Sequence, residues 1–253
     1  MSEPGPKAMR VAVRLGAVIA SALGAAPAIA GSPYTTDDPE PCPTGHWESR
    51  AFVNGLQTPG ETAGQSGLDI NYGMAKDLQL SVLAPLDYTI GDRNQLGNGN
   101  LLLAAKYRFI HQSSHGVAPD VAIFPAVTLP TQAKGFGPAR MALFLPVWAQ
   151  KDFGPWSVFG GAGYTFNHGP GKRDFTLSAL AVTRQLGKRL NLGVEIYHQT
   201  PDAVGGEALT AVAGGVVYQL SRHFALMGSA GPAVQGASRA GQAVFYAAIQ
   251  FTD

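Results

Sequence analysis

Apolar and polar residues alternate with a period of two over most of the chain beyond about residue 45. The alternation is clearest in five segments: 68–74, 78–88, 101–109, 175–181 and 190–196. In the second of these, every second residue from Leu78 to Tyr88 is apolar, whereas the intervening residues include Gln79, Ser81 and Asp87. Successive side chains of a strand point to opposite faces, so the pattern predicts β-strands with one apolar face and one mixed face.

The same template predicts twelve strands. They cover residues 46–54, 67–74, 78–88, 100–110, 119–129, 139–149, 155–165, 174–185, 189–199, 207–219, 223–231 and 243–252. Short, turn-like connectors are predicted at 75–77, 111–118, 150–154, 186–188 and 220–222. Longer connectors, rich in Gly, Asn, Pro and Thr, are predicted at 55–66, 89–99, 130–138, 166–173, 200–206 and 231–242. Short and long connectors therefore alternate along the chain.

This alternation is typical of an outer-membrane β-barrel, in which brief periplasmic turns and longer external loops join an even number of strands. Within lipid every backbone N–H and C=O group must be paired, so a spanning sheet has to close. Glycines inside predicted strands ease the bending of a tight barrel; they are Gly160, Gly161, Gly163, Gly214, Gly215 and Gly228. Aromatic residues near strand ends suit interfacial girdles; they are Trp47, Tyr72, Tyr88, Trp156, Tyr164, Phe166, Phe245 and Phe251.

The predicted fold class is therefore all-β: a transmembrane antiparallel up-and-down β-barrel of about twelve strands over residues 46–253. A soluble β-sandwich is the competing architecture, because it also uses short alternating strands. The composition favours the barrel. Only 14% of the 253 residues are charged and 32 are glycine, whereas soluble domains carry about 25% charged residues and about 7% glycine. The formal net charge of +1, without a Lys/Arg stripe, disfavours a nucleic-acid partner.

The first 30 residues predict a secretory signal peptide. Lys7, Arg10 and Arg14 precede the apolar stretch 15–23, and Ala28-Ile29-Ala30 forms an A-x-A cleavage site. The uncharged run 15–30 is broken by Pro27 and is shorter than the roughly 18 to 20 residues that a spanning helix needs. The alternative is a buried N-terminal helix. We therefore expect export to the bacterial outer membrane, with cleavage near Ala30.

Residues 31–45 form a Pro-rich lead-in, which we expect to lie in the periplasm before the barrel. The lead-in contains Cys42, the single cysteine of the chain, so an intramolecular disulfide is excluded. A free thiol is the simplest interpretation of this residue.

Several motifs are specific enough to compare with known families. The longest is FLPVWAQKDFGPW at 144–156, followed by GGAGY at 160–164. Shorter ones are TDDPE at 36–40, GHWE at 45–48, NYG at 71–73, DLQL at 77–80, KYRF at 106–109, FP at 124–125, LPT at 129–131, LGVE at 192–195, HQTP at 198–201 and SAG at 229–231. Together they resemble a family of bacterial outer-membrane channels named for the MetA pathway of phenol degradation. The resemblance implies a barrel with a transport-like role and no established chemistry.

If the apolar faces meet lipid, the opposite faces line the lumen. The predicted lumen-lining residues are Glu48, Arg50, Asp69, Asn71, Gln79, Asp87, Lys106, Arg108, Asp174, Arg184, Glu195 and Gln199. Two alternatives follow from this mixture of charges: a water-filled pore that selects solutes by charge, or a closed lumen in which opposite charges pair. The lumen of a twelve-stranded barrel is intermediate in width between the filled eight-stranded barrels and the open sixteen-stranded porins, so both alternatives stay open.

Apolar residues share these predicted inner faces, namely Phe52, Leu83, Leu102, Phe124, Phe144 and Trp148. They could line a path for an apolar or aromatic molecule, or they could only pack the interior. The predicted function is an outer-membrane channel or transporter for small molecules, hydrophobic or aromatic ones among them. The expected partners are outer-membrane lipid and a small solute, and no cofactor or metal is predicted.

Two other functions remain open. An outer-membrane lipid hydrolase needs a serine nucleophile, a histidine base and an orienting polar group. His198 lies near Glu195, but the odd spacing places the two on opposite faces, and the chain has no G-x-S-x-G motif. No catalytic residue is therefore predicted. The third possibility is a structural or adhesion barrel with a closed lumen.

Overall fold

A computed structural model describes residues 33–113, 116–136, 140–235 and 241–253. Its strands are β1 Trp47–Thr58, β2 Glu61–Ala75, β3 Leu78–Ile90, β4 Gln95–Asn98, β5 Leu102–Ile110, β6 Asp120–Ile123, β7 Ala126–Thr128, β8 Ala142–Phe153, β9 Trp156–Phe166, β10 Phe175–Leu186, β11 Leu190–Gln199, β12 Leu209–Gln219, β13 Phe224–Pro232 and β14 Ala243–Thr252. Neighbouring strands are antiparallel, and β1 pairs with β14 from Glu48↔Thr252 to Gln57↔Ala243. The sheet is therefore closed.

Two pairs of short strands each make up one crossing of the barrel. β4 and β5 both pair with β3, and β6 and β7 both pair with β5 and β8. The second break falls at Phe124-Pro125, where proline has no N–H to donate to the ladder. Counted as crossings, the strands form a twelve-stranded transmembrane β-barrel, which confirms the predicted fold class.

The prediction of a long connector at 55–66 is wrong. β1 and β2 continue through this region and pair up to Thr58↔Glu61, leaving a two-residue turn. Pro59 followed by Gly60, which has a φ of 91°, is a sequence that favours a type II turn. Residues 61–67 are polar and rich in glycine, so their composition did not predict the strand that they form. The alternation of short and long connectors fails at this turn.

The two faces of each strand differ in exposure as the period of two requires. On β3, Leu80 and Val82 are 43% and 38% exposed, whereas Gln79 and Ser81 are 6% and 4% exposed. Aromatic pairs occupy both ends of the outer surface: Trp47 contacts Tyr72 with ring centroids 4.5 Å apart, and Tyr164 contacts Phe166 at 4.9 Å. The outer surface is therefore an apolar band between aromatic ends, as a lipid-facing barrel needs.

The interior contains a cluster of buried apolar side chains, which we call the apolar layer. Its members are Phe52, Leu83, Leu102, Phe124, Ala126, Phe144, Trp148, Leu177, Ala179, Tyr197, Ala211 and Ala248. They come from strands all around the barrel, so they meet across its lumen. β9 contributes glycine instead: a Cβ at Gly163 would lie 2.3 Å from the Phe144 ring, so this glycine makes room for Phe144.

The barrel has two dissimilar ends. The short-turn end carries the connectors 76–77, 154–155, 187–189 and 220–223 and the described part of 111–119, together with Trp47 and Asp253. The long-loop end carries the connectors 59–60, 91–94, 167–174 and 200–208 and the described parts of 129–141 and 233–242. In the part of the chain that the structure describes, no helix is long and apolar enough to cross a membrane.

Candidate functional site in the barrel lumen

Most of the polar residues predicted to line the lumen lie on inner faces of the strands. They are Glu48, Arg50, Asp69, Asn71, Gln79, Asp87, Lys106, Arg108, Glu195 and Gln199. The structure brings many of them together near the short-turn half of the barrel. Asn71, for example, accepts hydrogen bonds from Gln79 at 2.9 Å and from the Ser81 hydroxyl at 2.6 Å.

The structure places Asp174 and Arg184 elsewhere. Arg184 is exposed on the outer face of β10 and lies over the Trp156 ring at 5.0 Å, and Asp174 lies just before β10, where it accepts the Tyr164 hydroxyl at 3.0 Å. β10 turns its apolar set, including Phe175 and Leu177, into the lumen. The neighbouring strand β9 has glycine on its inner face, so bulky side chains of β10 fill the space that β9 leaves in the lumen. Either face of β10 could have turned inward, because both carry apolar residues.

The Pro-rich lead-in runs through the lumen. We call residues 33–43 the N-terminal segment. Ser229 on β13 donates to the carbonyl of Pro33 at 2.5 Å, and Tyr34 packs against Phe159 of β9 with ring centroids 6.0 Å apart. Gly215 makes room for this tyrosine, since a Cβ at that position would lie 2.4 Å from the Tyr34 ring. The segment thus begins against the wall formed by β9 to β13.

Glu195 on β11 holds the next two residues of the segment. Its carboxylate accepts the backbone N–H of Thr35, the backbone N–H of Thr36 and the Thr36 hydroxyl, each at 3.0 Å. Glu195 is 3% exposed and Thr36 is fully buried. Hydrogen bonds to a charged group contribute more than neutral ones, so this carboxylate is a strong anchor for the segment.

The segment then crosses to the opposite wall. Lys106 on β5 contacts Asp37 at 3.0 Å and donates to the carbonyl of Asp38 at 2.8 Å. The backbone N–H of Cys42 donates to Gln79 at 2.7 Å. Beyond the segment, Gly45 donates to the carbonyl of Gly73 at 2.7 Å, at the short-turn end. The lead-in has no strand or helix periodicity, so the pattern did not place Tyr34, Thr36 or Asp37 in the lumen. The only sequence signal here was the motif TDDPE at 36–40, which includes Thr36 and Asp37.

The charges of the lumen follow a pattern. Within the described ranges, three inner-face cations are each shared by two carboxylates. The groups are Arg50 with Glu48 and Asp69, Lys106 with Asp37 and Asp38, and Arg108 with Asp77 and Asp120. Asp87 is held by amides instead, accepting from Gln65 and Gln132 at 2.8 Å each. Carboxylates therefore outnumber cations along the described lumen.

A polar cavity of about 190 Å³ separates the N-terminal segment from the wall. Its lining consists of Asp37, Asp38, Glu40, Pro41, Cys42, Pro43, Glu48, Arg50, Asp69, Asn71, Gln79, Lys106 and Phe124. Phe124 belongs to the apolar layer, and the Lys106 ammonium lies over its ring, 4.9 Å from the centroid. The cavity is thus bounded by charged groups on most sides and by the apolar layer on one.

Asp37 is the most deeply buried acid of the segment. It is 1% exposed, and its Oδ2 atom has no hydrogen-bond partner among the residues that the structure describes. Burial raises the pKa of Asp37 to about 7, although the Lys106 ammonium opposes the rise. A carboxyl group that ionises near neutral pH therefore faces the cavity.

The apolar residues predicted for the lumen, from Phe52 to Trp148, all lie buried in the apolar layer. Trp148 is fully buried, and its indole N–H has no hydrogen-bond partner in the described part of the chain. The layer is closed in this conformation. Glu195 and His198 lie on opposite faces of β11, and His198 contacts the Thr210 hydroxyl at 2.8 Å, away from the anchor carboxylate.

Comparisons with known proteins give a family and a fold. Residues 45–250 match the family described as MetA-pathway of phenol degradation. The chain is similar to the crystal structure of an outer membrane channel from Pseudomonas putida F1, with a TM-score of 0.68 and 14% identity over 85% of this chain and 97% of that one. At this identity the likeness shows the fold alone. A comparison with the curated proteins finds no match.

Two autotransporter barrels have lower scores. The translocator domain of NalP from Neisseria meningitidis has a TM-score of 0.47 and 10% identity over 97% of this chain and 95% of that one. The beta domain of the Bordetella autotransporter BrkA has a TM-score of 0.45 and 15% identity over 82% of this chain and 98% of that one.

Proposed function

The chain belongs to the MetA-pathway phenol-degradation family, and from that premise we propose that it is a bacterial outer-membrane channel that passes small solutes through its own lumen. The observation that carries this proposal is the polar cavity of about 190 Å³ inside a barrel closed by one chain. Charged and amide side chains face this space, as they do in pores that select solutes.

The solute we propose is a small molecule, with hydrophobic or aromatic compounds among the candidates. The cavity borders Phe124, and the apolar layer continues from there toward the long-loop end. A solute that follows the lumen meets charged groups in one half and aromatic and aliphatic groups in the other. Such a path suits a molecule with a polar end and an apolar body.

A closed structural barrel is the second candidate, and one observation favours it. Phe124, Phe144 and Trp148 are at most 3% exposed, so the apolar layer blocks the lumen in this conformation. Transport requires these side chains to move apart, whereas a structural barrel does not.

Single-channel recording separates the two candidates. Purified protein inserted into planar lipid bilayers should produce discrete conductance steps, and Trp148→Ala should enlarge them because it removes the bulkiest residue of the layer. Solute flux into vesicles, measured for small hydrophilic solutes and for phenolic compounds, then identifies the class that passes. Bilayers that stay silent for both proteins, together with vesicles that remain impermeable, would exclude transport.

We also propose that the chain reaches the outer membrane after its first 30 residues are removed. Residues 1–32 lie outside the described residues, and the support comes from the next position: Pro33 is already fully buried inside the lumen. The predicted signal peptide ends at Ala30, three positions before this proline. Mass spectrometry of protein purified from outer membranes should give an N-terminus at Gly31, and retention of Lys7 and Arg10 would exclude cleavage.

A further inference from the structure

We propose that the N-terminal segment sets the charge selectivity of the lumen, so that the path favours small cations. This inference rests on the transport function proposed above. It assigns to Asp37, Asp38 and Glu40 a role in choosing the solute, beyond closing or filling the barrel.

The charges around the polar cavity divide between wall and segment. The wall supplies Glu48, Asp69, Arg50 and Lys106, two acids and two bases. Its formal charge at the cavity is therefore zero. The segment adds the carboxylates of Asp37, Asp38 and Glu40 and no base. When all are ionised, the excess negative charge of the cavity comes entirely from the segment.

The segment is fixed firmly enough for its charges to occupy defined positions. Glu195 accepts three hydrogen bonds from Thr35 and Thr36 on one wall. Gln79 accepts the Cys42 N–H on the opposite wall. The three carboxylates lie between these two anchors, so they stay beside the cavity.

Asp37 keeps one carboxylate oxygen unpaired within the described part of the chain. Oδ1 of Asp37 contacts the Lys106 ammonium and accepts the Asp38 N–H at 2.8 Å, whereas the buried Oδ2 has no partner among the described residues. A cleft with excess charge of one sign and low-dielectric walls concentrates ions of the opposite sign. Carboxylates that face a narrow path therefore favour cations.

The structure also limits how a cation is held. Among the residues that the structure describes, no group of three or more His, Cys, Asp or Glu side chains is placed to hold a metal ion. Weak attraction by spaced carboxylates suits passage, because an ion that enters must also leave. The class we assign is therefore small monovalent cations, inorganic or ammonium-type.

The test is the reversal potential of full-length protein in planar bilayers under a KCl gradient. We expect wild-type protein to pass K⁺ severalfold better than Cl⁻. Asp37→Asn/Asp38→Asn/Glu40→Gln should bring the two permeabilities close to equal. The matched control removes three carboxylates outside the cavity, by Glu61→Gln/Asp92→Asn/Asp174→Asn, and should keep the preference of the wild type.

A second variant separates an effect of charge from an effect of the segment leaving the lumen. Glu40 is exposed, so Glu40→Lys changes the cavity charge while leaving the Lys106 and Glu195 contacts in place. This variant should also reduce the preference for K⁺. Anion preference in the wild type, or an unchanged preference in both segment variants, would overturn the inference while leaving transport intact. Bilayers that show no conductance with any of the proteins would instead remove the transport function on which it rests.

Discussion

Glu195 and Thr36 are 159 positions apart in the sequence, yet the Glu195 carboxylate accepts both the backbone N–H and the hydroxyl of Thr36 at 3.0 Å. With the Thr35 N–H, which it also accepts, this makes Glu195 the anchor of the N-terminal segment on β11. The contact ties the start of the described chain to the eleventh strand.

Glu195→Gln should loosen this anchor. An amide offers one acceptor oxygen where the carboxylate offers two, and its NH₂ group would face N–H donors. Hydrogen bonds to a charged group contribute about 1.5 to 3 kcal/mol each, so we expect the segment to leave the lumen at least several times more often. Because Cys42 is buried, the rate of maleimide labelling of its thiol measures this release.

Glu61→Gln is the matched control for that experiment, because Glu61 lies at the long-loop end, where β2 begins, away from the segment. It should leave the labelling rate of Cys42 unchanged. An equal rate in wild type and Glu195→Gln would show that the anchor contributes nothing to docking.

Gly215→Ala should displace Tyr34 from the wall. The added methyl group would lie 2.4 Å from the Tyr34 ring, closer than packed atoms approach. Gly214 is the neighbouring residue on the outer face, where an added methyl group would have no atom within 4 Å, so Gly214→Ala is the control. We expect faster labelling of Cys42 only in Gly215→Ala, with both barrels folded. Similar rates in the two variants would contradict the contact.

The sequence predicted the barrel well because a closed sheet repeats one simple rule. Each spanning strand needs an apolar outer face, so period-two alternation and connector positions were enough to predict twelve crossings. The same rule failed where both faces are apolar. On β10, Leu177 and Ala179 alternate with Leu180 and Val182, so the pattern does not show which of the two faces meets lipid. The space that the glycines of the paired strand β9 leave in the lumen determines that the face with Leu177 points inward.

The N-terminal segment could not be predicted for a different reason. Its fold depends on partners that the sequence separates widely, such as Glu195, Lys106 and Gln79. Prolines and threonines without periodicity indicate only an irregular chain. The inner-face residues were therefore identified one strand at a time, while the site that they form with the segment needed the closed barrel.

Ionisation of Asp37 should make the channel sensitive to pH near neutrality. The groups that face it are Lys106 from β5, Arg50 from β1 and Asp38 from the segment itself. The pKa of Asp37 is raised in the folded chain to about 7, so the folded state binds this proton more tightly than the unfolded state does. Stability from this group is thus fully present below its unfolded pKa and is lost as pH rises through about 7.

Two measurements follow from that titration. The preference for K⁺ should rise between about pH 6 and pH 8 as Asp37 becomes charged. Resistance to heat unfolding should fall between about pH 4 and pH 7, from the ordinary pKa of an aspartate to the raised one, and stay level above that. Asp37→Asn should flatten the contribution of this group to both curves. A pH dependence that is unchanged in Asp37→Asn would assign it to other groups.

Trp148 should control both the stability of the apolar layer and the width of the lumen. Replacing a buried aromatic residue by alanine costs about 3 to 5 kcal/mol, so Trp148→Ala should unfold at lower temperature and conduct more. Trp148→Phe should cost much less. It keeps most of the ring and removes a buried N–H without a partner in the described chain, and an unpaired buried donor costs about 1 to 3 kcal/mol.

The control for Trp148 is Trp156, which is 44% exposed on the outer surface at the short-turn end. Trp156→Ala removes an aromatic residue of the same size without touching the lumen, so single-channel conductance should stay at the wild-type value. The stability of all three variants is measured by unfolding, which is followed as the difference in gel mobility between unheated and heated samples. If Trp148→Phe is as unstable as Trp148→Ala, the indole N–H has a partner in the folded protein, and the lumen beside Trp148 is more polar than the apolar layer described above.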